Sequence, residues 1–182
     1  MNNKCLVFIG DSLTEFFDWQ ERFPDFLVLN LGVSGETVEG LLGRMDRILL
    51  SIQNIGRKPD LIFIMTGINN LAMEDYEIIS SYKRIINILA ASFSNSKLVI
   101  QSILPVVLSW VDNSALRGLN DSLRGIAKEF KSDYLDLHSL FLGPDSEPKK
   151  EYLLNDGVHL SEKGYAAWSD IIENYLTASD SN

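Results

Sequence analysis

Three side chains that lie far apart in the sequence have the types and the local spacing needed for acyl transfer. Ser12 stands in the sequence GDSL, and Asp156 and His159 stand in the sequence DGVH. An aspartate three residues before a histidine can fold its carboxylate back onto the imidazole, which orients the ring and stabilises its protonated form. Such a histidine can remove the proton of a serine hydroxyl. We therefore interpret Ser12 as a nucleophile, His159 as a general base and Asp156 as the orienting acid.

Acyl transfer also needs hydrogen-bond donors for the negative charge that develops on the carbonyl oxygen. The segment NLGVSGET contains Gly32 and Gly35, which let a ligand approach the backbone closely. The segment TGINN contains Asn69 and Asn70, whose side-chain amides can donate to an anion. Each segment alone is also explained as a helix cap or a turn. Their occurrence together with the Asp–His pair and Ser12 indicates one site.

The apolar pattern predicts the strands and helices that must position these residues. Five short apolar runs are predicted to be strands, at residues 5–9, 26–31, 61–65, 98–103 and 134–137. Four longer segments with helical spacing are predicted to be helices, at residues 37–50, 76–93, 115–130 and 161–176, the last with Ser161 as its N-cap. The alternation predicts a three-layer α/β domain with a parallel sheet that is covered on both faces. In such folds ligands bind beyond the carboxyl ends of the strands, where the candidate residues fall.

Composition limits the domain organisation and the partners. The chain has 182 residues and a net charge of −9, without a cluster of basic residues. We expect one domain over residues 1–177 and a flexible tail over residues 178–182. Nucleic acid and anionic membrane surfaces are not expected as partners, because an acidic chain is repelled by both.

Cysteine and histidine are too few for a metal site of familiar spacing. The chain has one cysteine, Cys5, and two histidines, His138 and His159. We expect Cys5 to be buried in the first strand and His138 to have a structural role, with neither metal nor cofactor bound. The apolar run at residues 5–9 is too short for a signal peptide or a membrane span. A cytoplasmic protein without membrane insertion is therefore expected.

Four segments in order along nearly the whole chain resemble the conserved blocks of the SGNH hydrolases, also called the GDSL esterase/lipase family. The four segments are residues 8–14 (FIGDSLT), 30–37 (NLGVSGET), 66–70 (TGINN) and 156–165 (DGVHLSEKGY). The resemblance makes Ser12 the nucleophile, with Asp156 and His159 as its catalytic partners. It places the oxyanion hole at the amides of Ser12 and Gly32 and at the Asn69 side chain. The third block of the family usually ends in Asp, whereas this chain has Asn70.

The resemblance also implies a fold and a reaction. The expected fold is a flavodoxin-like three-layer α/β/α domain with strand order 2-1-3-4-5. The expected reaction is hydrolysis of an ester or thioester of a small molecule without metal or organic cofactor. The short form with Gly-Glu-Thr in its second block is similar to the bacterial relatives of platelet-activating-factor acetylhydrolase and to small carbohydrate esterases.

The sequence indicates the type of reaction more clearly than it indicates the substrate. The segment at residues 103–111 (ILPVVLSWV) is apolar where a loop is expected. It forms either a wall for the acyl or leaving group, or a buried strand end, or a contact between the subunits of a homodimer. Val107 and Trp110 in this segment are candidate substrate contacts, together with Asp11 and Asn70. Asp11 is also interpreted as a brace of the turn that carries the nucleophile.

Three functions follow from these interpretations. The first is hydrolysis of short-acyl esters, such as acetyl esters of carbohydrates or small molecules, and it is favoured because no long segment has the pattern of a lid. The second is lysophospholipase or acyl thioesterase activity in the same family. The third is a non-catalytic module that binds carbohydrate or a protein partner on the same fold. A complete nucleophile–base pair argues against the third function, because a binding module has no need of it.

Overall fold

The computed structural model describes residues 4–180. The strands are β1 (Cys5–Gly10), β2 (Leu27–Gly32), β3 (Leu61–Met65), β4 (Lys97–Gln101) and β5 (Asp133–Leu135). The helices are α1 (Ser12–Glu15), α2 (Trp19–Arg22), α3 (Val38–Gly43), α4 (Met45–Gln53), α5 (Ile68–Ala72), α6 (Ile79–Ser92), α7 (Asn113–Glu129) and α8 (Glu162–Asp180). Two short 3-10 turns, Ser139–Phe141 and Lys150–Tyr152, lie between β5 and α8.

The five strands form one parallel sheet in the order β2-β1-β3-β4-β5, which confirms the predicted topology. Every residue of β1 and β3 is buried, as expected for continuous apolar strands that are covered on both faces. Cys5 is fully buried in β1, as predicted. The edge strand β2 differs, because its residues are partly exposed and Leu27 is 38% exposed.

Helices cover both faces of the sheet. On one face α6 packs against α3, α4 and α7. On the other face the Trp19 ring of α2 packs edge-on against the Trp168 ring of α8, with 4.8 Å between ring centres. The Trp168 indole donates a hydrogen bond to Gln101 Oε1 at the end of β4. This three-layer arrangement brings the carboxyl ends of β1, β2 and β3 to one edge of the sheet.

The predicted helix at residues 37–50 is broken into α3 and α4 at Arg44. The Arg44 guanidinium binds both carboxylate oxygens of Glu36 and the carbonyl oxygen of Leu31. These contacts hold Arg44 against the end of β2, where it is the C-cap of α3 and the N-cap of α4. Apolar periodicity continues through the break, so the sequence pattern does not reveal it.

The predicted strand at residues 98–103 ends at Gln101, and the following residues are buried without being a strand. Side-chain amides of α7 replace the missing strand partner. Asn120 accepts from the Ile103 N–H and donates to its carbonyl, at 2.8 and 2.9 Å. Asn113 makes the same two contacts with Val106, at 3.3 and 3.0 Å. The backbone of this apolar segment is therefore satisfied without a sheet ladder.

The remaining boundaries differ by a few residues. The helix predicted at 76–93 begins at Ile79, the helix at 115–130 begins at Asn113, and the strand at 134–137 is shifted to Asp133–Leu135. Ser161 caps α8 as predicted, because its hydroxyl accepts the N–H of Gly164 at 3.2 Å. The last helix extends three residues into the stretch for which a flexible tail was expected, and residues 181 and 182 lie outside the described range.

Within residues 4–180, none of the helices has the length and apolar character needed to cross a bilayer.

Candidate active site

Ser12 is placed by a tight turn between β1 and α1. Asp11 is the N-cap of α1, and its carboxylate accepts the Leu13 N–H at 3.1 Å. The side-chain amide of Asn30, from β2, donates to the carbonyl of Thr14 at 3.0 Å and so fixes the other end of this short helix. Ser12 is only 3% exposed. Ser12 is therefore held at the carboxyl end of the sheet by contacts of Asp11, which follows β1, and of Asn30 in β2.

Asp156 and His159 lie in an exposed turn just before α8. One carboxylate oxygen of Asp156 accepts the backbone N–H groups of Val158 and His159, both at 2.9 Å. The turn needs glycine at Gly157, where φ is +74° and a methyl group would collide with the Val107 carbonyl. The Val107 N–H in turn donates to the Gly157 carbonyl at 2.8 Å. The DGVH sequence therefore folds back on itself, as its spacing predicts.

These two turns bring Ser12, His159 and Asp156 into contact. The second carboxylate oxygen of Asp156 lies 2.7 Å from His159 Nδ1, and His159 Nε2 lies 3.0 Å from the Ser12 hydroxyl oxygen. Partial burial opposes ionisation of Asp156, but the backbone hydrogen bonds and the contact with His159 outweigh it and lower the pKa of the carboxyl. An ionised Asp156 beside Nδ1 favours the tautomer whose Nε2 can accept a proton from Ser12.

The predicted donors for a carbonyl oxygen are arranged differently from the expectation. The Asn69 amide donates to the Glu36 carbonyl at 3.0 Å, which places it beside the loop after β2. The Gly32 N–H is bonded to the Asn30 side chain at 3.0 Å. The interpretation of Gly32 as an oxyanion donor is therefore not supported, because its amide already has an acceptor. In the same loop Gly35 adjoins Glu36, has a φ of +74°, and its N–H is not used by any hydrogen bond found among residues 4–180.

Asn70 is a structural residue, which corrects its interpretation as a substrate contact. It is 1% exposed, and its side-chain oxygen accepts the Val38 N–H at 2.9 Å. Its amide nitrogen donates to the carboxylates of Glu39 and Asp75, at 2.7 and 2.9 Å. The donation from Asn70 is the first cause of the lowered pKa of Asp75. The Asp that is usual in the family would place a third carboxylate here, so Asn fits these two acidic neighbours.

Asp11 is also removed from the substrate-contacting set. It is 1% exposed, and burial raises the pKa of its carboxyl to about 7, against the opposing effects of the Leu13 N–H and of His159. A buried group that caps a helix cannot touch a substrate in the solvent-exposed part of the site. This agrees with the alternative interpretation of Asp11 as a brace of the nucleophile turn. His138 is buried as well, and its backbone N–H donates to the Ser102 hydroxyl at 2.7 Å, in keeping with a structural role.

The apolar segment at residues 103–111 is divided between the core and a cleft. Ile103, Leu104 and Val106 are buried, whereas Val107 is 45% exposed and Trp110 is 53% exposed. A cleft of about 1030 Å³ lies beside them, and Asp156 is part of its lining. The first half of the segment is therefore buried, as the interpretation as a buried strand end predicts. It does not form a strand, however, because β4 ends at Gln101. Val107 and Trp110 face solvent, and the Val107 N–H is bonded to Gly157 in the turn at residues 156–159, called the catalytic turn below.

One aromatic residue near the site carries no signal in the sequence. Phe16 follows α1, is 58% exposed, and its ring centre lies 5.5 Å from that of His159. Because Phe16 comes only four residues after Ser12, its ring lies close to the His159 ring at the edge of the site. An exposed aromatic ring beside the reacting groups offers an apolar surface to a substrate.

Comparisons with known proteins show the family and the fold to which the chain is related. Residues 8–167 match the model of the GDSL-like Lipase/Acylhydrolase family. The platelet-activating factor acetylhydrolase IB subunit alpha1 of Rattus norvegicus is 23% identical over 168 residues, which cover 88% of this chain and 69% of that protein.

Two solved structures show how closely the fold is shared. A structure from Streptococcus pneumonia, provisionally assigned as a platelet activating factor, has a TM-score of 0.85 and 26% identity, covering 96% of this chain and 84% of the other. A variant of an acetyl xylan esterase from Geobacillus stearothermophilus has a TM-score of 0.71 and 19% identity, covering 91% of each chain. With a family match over most of its length and this fold, the chain belongs to the GDSL-like lipase/acylhydrolase family and is a carboxylic ester hydrolase.

Proposed function

We propose that the chain is a serine hydrolase that cleaves esters with short acyl groups through Ser12, His159 and Asp156. The observation that carries the proposal is the continuous line of contacts from the Asp156 carboxylate through the His159 ring to the Ser12 hydroxyl, at 2.7 and 3.0 Å. Both distances lie in the range in which a serine can be activated by a base that a third group orients.

The mechanism follows from the positions of the two ring nitrogens. His159 Nε2 takes the Ser12 proton as the Ser12 oxygen bonds to the ester carbonyl carbon. The tetrahedral intermediate then breaks the bond to the alcohol oxygen, which receives the proton from Nε2. Water reacts with the resulting acyl-enzyme in the same way, and the Ser12 oxygen regains a proton from His159 as the acid leaves. Asp156 stabilises the positive ring in both halves of the reaction.

The oxyanion hole is proposed to consist of the Ser12 N–H, the Asn69 side chain and the Gly35 N–H. Ser12 is the first residue of α1, so its N–H has no partner within that helix. Asn69 uses its amide to reach the Glu36 carbonyl, next to Gly35, and a primary amide has a second N–H to offer. Gly35 replaces Gly32 because the Gly32 amide is already bonded. Each such donor typically contributes about two to three orders of magnitude to turnover.

Support for a short acyl group comes from the relatives. The rat relative is named as an acetylhydrolase, and the esterase from Geobacillus stearothermophilus is named for acetyl xylan. We therefore place acetyl to butyryl esters first among the substrates. The leaving alcohol is left open by these names, because one relative is named for platelet-activating factor and the other for acetyl xylan.

A series of p-nitrophenyl esters from acetate to palmitate tests the proposal. We expect the highest kcat/KM for acetate to butyrate in the native chain, and loss of all measurable turnover in Ser12→Ala. Retained turnover in Ser12→Ala would reject Ser12 as the nucleophile. Faster hydrolysis of decanoate to palmitate would reject the short acyl group and leave the catalytic assignment in place.

A second candidate function is hydrolysis of lysophospholipids. The observation in its favour is the exposure of large apolar side chains beside the site, namely Phe16, Val107 and Trp110. Such a rim suits a long alkyl chain. Release of fatty acid from lysophosphatidylcholine at a rate above that of p-nitrophenyl acetate would favour this candidate over the first.

A further inference from the structure

A cleft of about 1030 Å³ adjoins the turn that carries Asp156 and His159. Besides Asp156, it is lined by residues 106–110 with Asn113 and by residues 143–145 and 147–151. Its volume is at the upper end of the range for pockets that bury a small organic ligand. Asp156 lies in its lining whereas Ser12 and His159 do not, so the cleft adjoins the reacting groups without containing them.

The position of the cleft assigns it to one half of an ester. In the mechanism proposed above, His159 protonates the alcohol oxygen, so the alcohol must lie on the His159 side of the scissile bond. The cleft adjoins that side of the bond through the turn that carries Asp156 and His159. Asp156 is in its lining, and its Val107 wall is tied to the catalytic turn by the hydrogen bond from the Val107 N–H to the Gly157 carbonyl, at 2.8 Å.

The cleft wall presents an anchored aromatic ring. Trp110 is 53% exposed, although its indole N–H donates to the Ala72 carbonyl at 3.0 Å. The hydrogen bond uses the edge of the indole and fixes the orientation of the side chain. An exposed and oriented indole can stack on a flat or apolar alcohol, and its face attracts a positive group.

The charges that line the cleft are mostly negative. Four carboxylates line it, those of Asp145, Glu147, Glu151 and Asp156, against the two amines of Lys149 and Lys150. The Lys149 amine donates to the Leu140 carbonyl at 2.8 Å and lies 5.1 Å from the centre of the Tyr152 ring. A negatively charged alcohol would therefore be repelled by the excess negative charge that lines the cleft.

We propose that this cleft is the alcohol-binding subsite of the esterase, and that it selects a bulky alcohol that is uncharged or positively charged over one that is negatively charged. The proposal rests on the esterase function given above. It assigns Trp110 as the stacking surface and Glu147, with its neighbouring carboxylates, as the group that sets charge selectivity.

Matched acetate esters separate charge from size. The probes are phenyl acetates that carry in the meta position a tert-butyl, a trimethylammonium or a sulfonate group, with ethyl acetate as an ester whose alcohol is too small to reach the cleft. Each kcat/KM is divided by the rate constant for hydroxide with the same ester. We expect the tert-butyl and trimethylammonium esters to exceed the sulfonate ester by about tenfold or more. If this corrected kcat/KM were equal for the neutral, the positively charged and the negatively charged ester, charge selection would be overturned.

Variants locate the selectivity in the cleft. Glu147 is exposed, so Glu147→Lys changes charge without opening the core. We expect it to narrow the trimethylammonium-to-sulfonate ratio by about threefold or more. Asp25→Lys is the matched control, because it makes the same charge change on an exposed residue before β2, at the opposite edge of the sheet. Equal effects of the two variants would show that the net charge of the chain sets the ratio and would overturn the assignment to the cleft.

Trp110 is tested through a ratio of substrates. Trp110→Ala is expected to lower the ratio of the tert-butylphenyl ester to ethyl acetate by about fivefold or more, and Trp110→Phe to restore most of it. An unchanged ratio in Trp110→Ala would overturn the stacking role. Failure of the esterase proposal itself looks different, since none of the esters would then be turned over by the native chain.

Discussion

The turn that carries Ser12 and the turn that carries His159 differ in burial although they meet in one site. Asp11 and Ser12 are 1% and 3% exposed, whereas the side chains of His159 and Asp156 are 33% and 50% exposed. The first turn is enclosed by β2 and the helices around it, and the second lies on the surface before α8. Each turn contains an aspartate that contacts backbone N–H groups next to a reacting residue.

The difference shows how one residue type takes two roles. Burial raises the pKa of Asp11 to about 7, because it outweighs the opposing effects of the Leu13 N–H and of His159. Asp156 accepts two backbone N–H groups and the His159 ring, and these contacts lower the pKa of its carboxyl in spite of partial burial. The contacts of Asp156 favour its ionised form and hold it against the His159 ring, so Asp156 is the carboxylate that can stabilise a positive imidazole in direct contact.

The largest expected effect comes from the same substitution at the two aspartates. Asp156→Asn is expected to lower kcat for p-nitrophenyl acetate by about four orders of magnitude, because it removes the negative charge and favours the wrong ring tautomer. Asp11→Asn keeps an oxygen for the Leu13 N–H and is expected to cost less than about tenfold. Steady-state kinetics of both purified variants measure this. A greater loss in Asp11→Asn would mean that the buried carboxylate takes part in the chemistry.

The two adjacent asparagines give the next effect. Asn69→Ala is expected to reduce kcat by about two orders of magnitude with little change in stability, since it removes one oxyanion donor. Asn70→Ala is expected to lower the free energy of unfolding by about 1–3 kcal/mol, because it leaves the buried Val38 N–H and two carboxylates without their partner. Kinetics and urea unfolding of both variants separate the two roles. If Asn69→Ala lowered stability and Asn70→Ala lowered kcat instead, the oxyanion donor would be Asn70 and not Asn69.

The pH dependence of stability sharpens the contrast between the aspartates. The pKa of Asp11 is raised by burial from 3.8 to about 7, so the folded chain holds this proton more tightly than the unfolded chain. Its contribution to stability is fully present below about pH 3.8 and is lost as pH rises towards 7, by at most about 4 kcal/mol. Urea unfolding from pH 4.5 to 8 should show a smaller decline in Asp11→Asn than in the native chain. Parallel curves would show that Asp11 is ionised in the fold.

His138 gives the smallest expected effect, with the opposite sign. Burial lowers the pKa of His138, so the folded chain binds a proton there less readily than the unfolded chain. Stability from this group is therefore lost as pH falls below about 6.5, the ordinary value for histidine. In the same unfolding series, His138→Gln should lose less stability than the native chain between pH 7 and 5. A steeper loss in the variant would contradict this.

The sheet was predictable from the sequence, and the residues proposed as the triad could be selected from it, because the signals of both are local. Continuous apolar runs mark the buried strands β1 and β3, and the spacing of Asp156 and His159 is contained within four residues. The order of the strands came from the resemblance to a family, as did the proposed role of Asn69.

The remaining features depend on contacts between distant segments. Gly32 and Gly35 are alike in the sequence, and in the structure the bond from the Gly32 N–H to Asn30 and the positive φ of Gly35 distinguish them. The irregular run after β4 is stable because Asn113 and Asn120 of α7 bind its backbone. The cleft is likewise lined by segments that are distant in the sequence, residues 106–110 and residues 143–145 and 147–151. Pairings of this kind have no periodic signal along the chain.

Covalent labelling of Ser12 tests the central claim most directly. A fluorophosphonate reacts with a serine that a base has activated, and mass spectrometry of the digested protein locates the adduct. The account predicts one adduct per chain, on Ser12, with no labelling of Ser12→Ala and labelling slowed by about a hundredfold or more in His159→Ala. An adduct on another residue, or labelling at the native rate in His159→Ala, would contradict the activation of Ser12 by His159.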